Sequence, residues 1–263
     1  MKFMLMGFEI NGEWERLPQV ERDRRVARHN ETLQALIAQR GLSGGDSLVL
    51  TSVGLGPASE ATTLRVSDGR PLTVDGPFAE TREVLAGFDL IDFASRAEAE
   101  EFAKRRCTHD GHVTEARPVR EMWWAHHAAA PSGGGMRFML MILTDERAVA
   151  QRSQAEIDRI VQHHQQVGLE YNSQKGLVRG ESLSWCSARL QPSREATTLR
   201  MSEGRWLASD GPYVETKEVL GGFVLLDCAS KPEAVEWARR LAAGGGETIE
   251  VRPVYSMWWI YHG

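Results

Sequence analysis

The chain has no excess of basic residues. Its 263 residues include 31 Lys and Arg against 36 Asp and Glu, for a formal net charge of −5, and the pI is about 5.9. Nucleic-acid-binding domains usually present a basic face, so this balance argues against a nucleic-acid partner. The apolar runs are far shorter than the roughly 20 residues of a membrane helix. The first residues, "MKFMLMGFEINGEWE", lack the apolar core and cleavage site of a signal peptide. We therefore expect a cytoplasmic protein without a membrane partner.

Paired cysteines are also missing. The sequence has three cysteines, Cys107, Cys186 and Cys228, and none belongs to a C-x-x-C pair. An odd count without such spacing argues against a disulfide framework and against a zinc site. We expect three reduced thiols and no metal.

Several motifs of cofactor and metal chemistry are absent from the sequence. It contains no Gly-rich phosphate loop of the P-loop type, no G-x-G-x-x-G and no H-E-x-x-H. Nucleotide, dinucleotide and zinc-protease functions therefore lose support. We expect a protein that works without a cofactor.

What the chain does contain is a duplication. "KFMLMGF" at Lys2 recurs as "RFMLMIL" at Arg137, "EATTLRVSDGR" recurs as "EATTLRMSEGR", and "EARPVREMWW" recurs as "EVRPVYSMWW". "DGPFAETREVLAGF" at Asp75 recurs as "DGPYVETKEVLGGF" at Asp210. The offset is constant (210 − 75 = 135 and 137 − 2 = 135), so the copies align without net insertion. We assign a first domain to residues 1–128, a linker to 129–135 and a second domain to 136–263.

Each copy has the same pattern of predicted elements. An apolar strand at 3–8 is followed by a helix at 18–40, a strand within "DSLVLTS" and a hairpin within "TTLRVSDGRPLTV". After the Asp-Gly-Pro turn, "EVLAGFDLIDF" predicts a strand, "SRAEAEEFAKRR" a helix with Ser95 as its N-cap, and "VTEARPVREMWW" a last strand. If the hairpin is an elaboration, the order is βαββαβ, a ferredoxin-like unit with helices on one face.

The other face of such a sheet must be covered, and the second copy is the obvious cover. We therefore predict an α+β fold in which two ferredoxin-like repeats pack sheet to sheet within one chain, as a homodimer would. The chain would be a pseudo-dimer, and further association into a homo-oligomer stays open.

The two "DGP" segments, each followed by an "RPV" strand, resemble the DGPF-type branch of the YCII-related family over nearly the whole chain. The resemblance implies a dimeric α+β barrel. It also implies a His–Asp pair in a pocket, although the family has few agreed activities. One relative is a dehydrochlorinase in the breakdown of chlorinated aromatics, and others accompany sigma factors.

The family's histidine lies on the first helix and matches His29 and His164, which keep their register (29 + 135 = 164) although the surrounding helices differ. Asp75 and Asp210 open the two Asp-Gly-Pro turns. We take these four residues as candidate catalytic groups, with each aspartate orienting a histidine that acts as general base. The alternatives are a core histidine for each imidazole, and an Asx-turn for each aspartate.

Other residues that recur in both copies are candidates for substrate binding. Arg65 and Arg200 end the "TTLR" strand, and Phe78 and Tyr213 follow the Asp-Gly-Pro turns. An arginine could bind a carboxylate or phenolate bidentately, or pair with a glutamate on a neighbouring strand. Trp123 and its counterpart could line a pocket for a flat ligand or cover the interface between the copies.

A His–Asp pair without a nucleophile suits proton transfer. We therefore expect a cofactor-independent enzyme that carries out elimination, isomerisation or cyclisation of a small aromatic or carbonyl compound. The alternative is a non-catalytic small-ligand or protein-binding module with a regulatory role. Because Gly168 stands where the first copy has Leu33, we predict that the pocket beside His164 is roomier than the one beside His29.

Overall fold

A computed structural model describes residues 1–39, 50–67, 70–79, 81–110, 113–124, 135–174, 186–214 and 216–260. Most of the predicted linker, 129–134, lies outside these residues, as do the first four residues of "DSLVLTS" and the turn of the first hairpin. The predicted long helix and the strands on either side of each Asp-Gly-Pro turn are present in both copies.

The helices and strands of the first copy are β1 (Lys2–Ile10), α1 (Glu13–Arg16), α2 (Gln19–Gln39), β2 (Leu50–Leu55), β3 (Thr62–Ser67), β4 (Arg70–Asp75), β5 (Glu83–Asp92), α3 (Arg96–Asp110) and β6 (Val113–Trp124). Those of the second copy are β7 (Met136–Thr144), α4 (Glu146–Ala150), α5 (Gln154–Gln174), β8 (Cys186–Leu190), β9 (Thr197–Ser202), β10 (Arg205–Asp210), β11 (Val219–Cys228), α6 (Lys231–Ala242) and β12 (Thr248–Ile260).

Eight of the strands close into one antiparallel barrel. The hydrogen-bonded order is β1-β5-β2-β12-β7-β11-β8-β6, and β6 pairs back with β1. Four strands come from each copy. The two sheets thus share one interior, and they also join at both edges. Closure leaves no free edge among these eight strands, where unpaired N–H and C=O groups would invite another chain.

The last strand of each copy makes both junctions. The first half of β6 pairs with β1, whereas Val119–Trp124 pair with β8 of the second copy. In the same way, β12 pairs first with β7 and then, from Val254 onward, with β2 of the first copy. A β-bulge marks each crossing point, one between Val119 and Glu121 and one between Val254 and Ser256.

The hairpins are exchanged between the copies as well. The first-copy hairpin β3–β4 pairs with β12, and the second-copy hairpin β9–β10 pairs with β6. In the second hairpin the two loop residues, Glu203 and Gly204, both have positive φ, as a type I′ turn requires. Each hairpin therefore lies in the helical layer of the opposite copy.

Alternation along the strands separates two kinds of core. In β1, Met4 and Met6 point into the barrel and pack with Met139, Met141 and Phe223 of the second copy. Phe3 and Leu5, at the intervening positions, pack outward beneath α2 and α3. Residues 3 and 5 of β1 and residues 89 and 91 of β5 thus face the helical layer, where His29 lies.

Candidate functional site

His29 projects from α2 onto the outer face of the barrel. Its Nε2 lies 3.0 Å from Ser52 Oγ on β2 and 3.2 Å from Asp89 Oδ1 on β5. Two polar side chains of the sheet thus meet the same imidazole nitrogen. A His–Asp pair exists in the first copy, and its aspartate is Asp89.

Asp89 is fully buried, and its second oxygen lies 3.1 Å from Nε of Arg106 on α3. Burial opposes ionisation of the carboxyl, but the charges of His29 and Arg106 and hydrogen bonds from His29 and Ser52 outweigh it and lower its pKa to about 2. Arg106 also donates to the carbonyl of Leu5 at 3.2 Å. The group is a buried ionic cluster. A carboxylate with so low a pKa is a poor proton acceptor at neutral pH.

The predicted pairing of Asp75 with His29 is wrong. Asp75 is exposed, and its carboxylate accepts a hydrogen bond of 3.3 Å from Thr62. The reason is the exchange of hairpins, since β3–β4 packs against α6 of the second copy, where Arg239 donates to Thr73. Asp75 therefore lies in the helical layer of the opposite copy.

The same correction applies to Asp210 and His164. Asp210 is exposed at the end of β10, on the hairpin that pairs with β6 of the first copy. The carboxylate that lies near His164 belongs to Glu247, with 3.9 Å between Nε2 and Oε2.

The Asp-Gly-Pro corners form hydrogen bonds between the two copies. Gly76 has φ of 106° and Gly211 has φ of 96°, a region that favours glycine. With the chain turned in this way, the N–H of Phe78 donates to Glu250 of the second copy at 2.8 Å. Reciprocally, the N–H of Tyr213 donates to Glu115 of the first copy at 3.0 Å. The corner therefore delivers a backbone N–H to a buried carboxylate across the boundary.

The four predicted substrate-binding residues belong to these corners. Arg65 donates to the Phe78 carbonyl at 3.0 Å, and its guanidinium stacks 4.7 Å from the centroid of the Phe78 ring. The Tyr213 ring packs 5.2 Å from that of Phe8; burial and a hydrogen bond to Glu83 raise the pKa of Tyr213 to about 12, against the opposing charge of Arg200. These contacts place all four residues at the boundary between the copies.

Arg117 and Arg252 pair with glutamates two residues earlier on their own strands. Arg117 Nε lies 2.8 Å from Glu115 Oε1, and Arg252 Nε lies 3.9 Å from Glu250 Oε1. All four side chains are buried, and each arginine also donates to a carbonyl of the other copy, Leu220 or Leu85. Between the corners is a small cavity of about 130 Å³ that Phe78 helps to line.

A much larger cavity, of about 690 Å³, lies beside His164. It is enclosed by α4, α5, β7, β8 and β11 of the second copy, and β6 of the first copy contributes Arg120 and Trp123. Its volume is in the range of small-molecule sites. Apolar side chains of α5 form one wall: Ile157, Ile160, Val161 and Leu169. Trp123 thus lines a pocket, which was one of its two predicted places.

Three substitutions between the copies accompany the room beside His164. Gly168 lines the cavity, whereas its counterpart Leu33 is 2% exposed in the first-copy core. Val224 replaces Asp89, and Leu241 replaces Arg106 (89 + 135 = 224 and 106 + 135 = 241). Thus the second copy lacks the ionic network of Asp89 and Arg106. At Gly168, α5 also has no side chain that would fill the space beside His164.

Gly7 differs between the copies together with Arg106: its counterpart is Ile142 (7 + 135 = 142). A Cβ at residue 7 would lie 2.8 Å from the guanidinium of Arg106. Glycine is therefore required where the arginine crosses β1, and isoleucine fits where the arginine is replaced by leucine. Ile142 in turn lines the cavity of the second copy.

His164 has a neutral imidazole near physiological pH. Burial and the neighbouring charge of His163 lower the pKa of His164 to about 4, while burial raises the pKa of Glu247. His164 Nε2 and Glu247 Oε2 are both buried and have no hydrogen-bond partner among the described residues. The cavity is thus bordered by two polar atoms, His164 Nε2 and Glu247 Oε2, whose hydrogen-bonding capacity is not used by the described part of the chain.

The sequence interpretation missed Asp89, Arg106 and Glu247. A signal for the first two was present. Asp89 is an ionisable residue within the apolar run "LAGFDLIDF", and it differs between the copies together with Arg106. Glu247 carried no such signal, because its counterpart is His112 and no repeated segment contains it.

Among the described residues, no group of three or more His, Cys, Asp and Glu side chains is placed to hold a metal ion. Cys186 and Cys228 are buried, and neither forms a disulfide bond among the described residues; the Cys107 side chain lies outside the description. No helix in the described ranges is both long and apolar enough to cross a membrane.

Comparison with known proteins identifies the repeated unit. A model of the YCII-related domain matches residues 1–123 and 136–258. An uncharacterized protein from Rhizobium meliloti (strain 1021) is 37% identical over 121 residues, or 45% of this chain and 92% of that protein. Both results agree with a tandem duplication.

Two solved structures are similar at low identity. A mutant chlorite dismutase from Candidatus Nitrospira defluvii in complex with cyanide gives a TM-score of 0.40 at 9% identity, covering 97% of this chain and 90% of that chain. Another mutant of the same enzyme gives 0.39 at 10% identity, covering 97% and 91%.

Proposed function

Because the chain belongs to the YCII-related domain family and carries that domain twice, we propose that it is a small-molecule enzyme whose working site is the cavity of the second copy. The observation that carries this proposal is the cavity of about 690 Å³ bordered by His164. The reaction class is proton transfer without a cofactor, as in elimination, isomerisation or cyclisation of a small aromatic or carbonyl compound.

His164 is the group that moves the proton. With its pKa lowered to about 4, the imidazole is unprotonated at neutral pH and is available as a base. Negative charge that develops on a bound substrate would favour the imidazolium at the moment of transfer. Glu247, whose Oε2 lies 3.9 Å away, is the carboxylate placed to stabilise that imidazolium.

The first copy has a different part in this proposal. His29, Ser52, Asp89 and Arg106 form a closed polar network beneath α2 and α3, so they stabilise the barrel and are not the reacting groups. The corners of Asp75 and Asp210 hold the copies together. The cavity needs both copies, since β6 of the first supplies Arg120 and Trp123.

The topology supports one further assignment. In the first copy the strand order is β6-β1-β5-β2. With the hairpin β3–β4 left aside, this is the order 4-1-3-2 of a ferredoxin-like unit. We assign each copy to that class, and the barrel then represents an intrachain dimer of two such units.

The experiment asks whether the protein exchanges carbon-bound protons. Small aromatic and carbonyl compounds are incubated in D2O with the wild-type protein, His164→Gln and His29→Gln, and deuterium incorporation is followed by NMR after folding has been checked by circular dichroism. We expect exchange in at least one compound, lost in His164→Gln and retained in folded His29→Gln.

Two outcomes contradict the proposal. Loss of exchange in His29→Gln alone would move the reaction to the first copy. Compounds that bind with no exchange anywhere in the panel would instead support a non-catalytic binding module, the alternative function.

A further inference from the structure

Arg189, on β8, is a half-buried arginine that lines the large cavity without a carboxylate partner. Among the described residues, no carboxylate lies within ion-pair distance of the Arg189 guanidinium. Burial lowers the pKa of its guanidinium, and so does the neighbouring charge of Arg120, whereas the charges of Glu121 and Asp158 act in the opposite sense. The positive charges of Arg189 and Arg120 therefore repel each other, and Arg189 is also partly removed from solvent.

Arg120 reaches the same cavity from the other copy. It occupies the β-bulge of β6, between Val119, which pairs with Leu190, and Glu121, which pairs with Arg189. A bulge turns a side chain away from the alternation of its strand. Its guanidinium has only a loose contact with Glu121, at 4.0 Å between exposed side chains.

The two arginines are specific to this cavity and are not a general feature of the fold. At the equivalent positions of the first-copy site stand Gly54 and Tyr255 (189 − 135 = 54 and 120 + 135 = 255). On the helix the difference between the copies is the opposite, with arginines in the first copy and apolar residues in the second. Ile157 and Ile160 line the cavity on α5, where α2 carries Arg22 and Arg25 (157 − 135 = 22 and 160 − 135 = 25).

The carboxylates that line the cavity do not compensate for these charges. Both oxygens of Glu146 are used by Ser193, which donates its N–H and its hydroxyl at 2.6 Å. Glu247 lies 3.9 Å from Arg152. The cavity thus combines an apolar wall on α5 with two guanidinium groups, on β6 and β8, that form no ion pair with a carboxylate lining the cavity among the described residues.

We propose that the ligand of this cavity is a small apolar carboxylate, with its ring or alkyl body against Ile157, Ile160 and Trp123 and its carboxylate on Arg189 and Arg120. The planar guanidinium binds a carboxylate through two parallel N–H···O bonds, which favours this headgroup over a neutral one. The assignment rests on the proposed function, because it concerns the same cavity and names its class of substrate.

The test uses pairs of ligands with the same shape and different charge. Binding of 2-naphthoate and 2-naphthamide, and of benzoate and benzamide, is measured by calorimetry at low salt. The proteins are the wild type, Arg189→Gln and Arg147→Gln. Arg147 is an exposed arginine on α4 that does not line the cavity, so it controls for net charge.

We expect each carboxylate to bind the wild type at least tenfold more tightly than its amide. Arg189→Gln should reduce the ratio to about twofold, while Arg147→Gln keeps it. Equal binding of acid and amide would overturn the inference and leave the cavity as a site for neutral compounds. Rejection of all four compounds by the folded wild-type protein would count against the cavity as a site for small aromatic compounds, and so against the proposed function as well.

Discussion

The carboxylate of Glu250 accepts a hydrogen bond of 2.8 Å from the backbone N–H of Phe78, across the boundary between the two copies. Glu115 and Tyr213 repeat the contact in the opposite direction at 3.0 Å. The Asp-Gly-Pro segments are the longest repeated motif of the chain, and this geometry explains why. The turn is retained because it positions the N–H that the buried glutamate of the other copy needs.

We expect Glu250→Ala to destabilise the protein by about 3 kcal/mol, because it leaves the buried Arg252 without its carboxylate and the Phe78 N–H without an acceptor. Glu250→Gln keeps an acceptor and should cost about 1 kcal/mol. Both values come from urea unfolding followed by circular dichroism. Glu115→Ala tests the symmetric contact, and a loss below about 0.5 kcal/mol for both alanine variants would show that the corners do not hold the copies together.

Asp89 and Arg106 should behave as one unit. Either Asp89→Val or Arg106→Leu alone leaves a buried charge without its partner and should cost about 3 kcal/mol or more. The double variant copies the solution of the second copy, Val224 and Leu241, and should recover much of the loss. A double-mutant cycle from denaturant unfolding gives the coupling, which we expect to exceed about 2 kcal/mol. Strictly additive losses would mean that the 3.1 Å contact contributes nothing specific.

The packing of the two copies against each other was predictable from the duplication, whereas the barrel was implied by the resemblance to the YCII-related family. Segments that recur at a constant offset define the two units, and their alternating apolar strands predict a sheet with two covered faces. A sheet whose helices cover one face needs a partner for the other. The chain provides that partner in the second copy, so the pseudo-dimer followed from pattern alone.

The partner of His29 was not predictable by the same means. In the sequence, Asp75 shortly precedes β5, the strand that faces His29. In the structure, however, its hairpin β3–β4 pairs with β12, a strand about 180 residues later. Such an exchange depends on long-range pairing, which leaves no local pattern. Asp89 was the better candidate on physical grounds, since a carboxylate in an apolar strand needs a charged partner.

The stability of the protein should fall in mild acid because of His164. Its pKa is about 4 when folded and 6.5 in the unfolded chain, so between these values the unfolded state binds the proton and the folded state does not. The stability that depends on the neutral imidazole is complete above about pH 6.5 and is lost progressively down to about pH 4. The full effect is about 3 kcal/mol.

His164→Gln removes this dependence, so the free energies of unfolding of wild type and variant should converge or cross as the pH falls from 7 to 4. Glu247, whose pKa is raised, acts in the opposite sense in both proteins, so the difference reports His164 together with its coupling to Glu247. A difference that stays constant with pH would show that His164 is not held neutral by burial.

Gly168→Leu should obstruct the cavity while stabilising the helix. The variant places in α5 the side chain that α2 has at Leu33, and the leucine narrows the cavity where Gly168 now lines it. Leucine has a helix propensity better than that of glycine by nearly 1 kcal/mol, so we expect unchanged or slightly raised stability together with loss of 2-naphthoate binding. Leu33→Gly is the matched control: it should cost about 3 kcal/mol or more, because it empties a packed position, and should leave binding at His164 unchanged. If Gly168→Leu bound the ligand as well as the wild type, the cavity beside His164 would not be the binding site, since the ligand and the new side chain compete for the same volume.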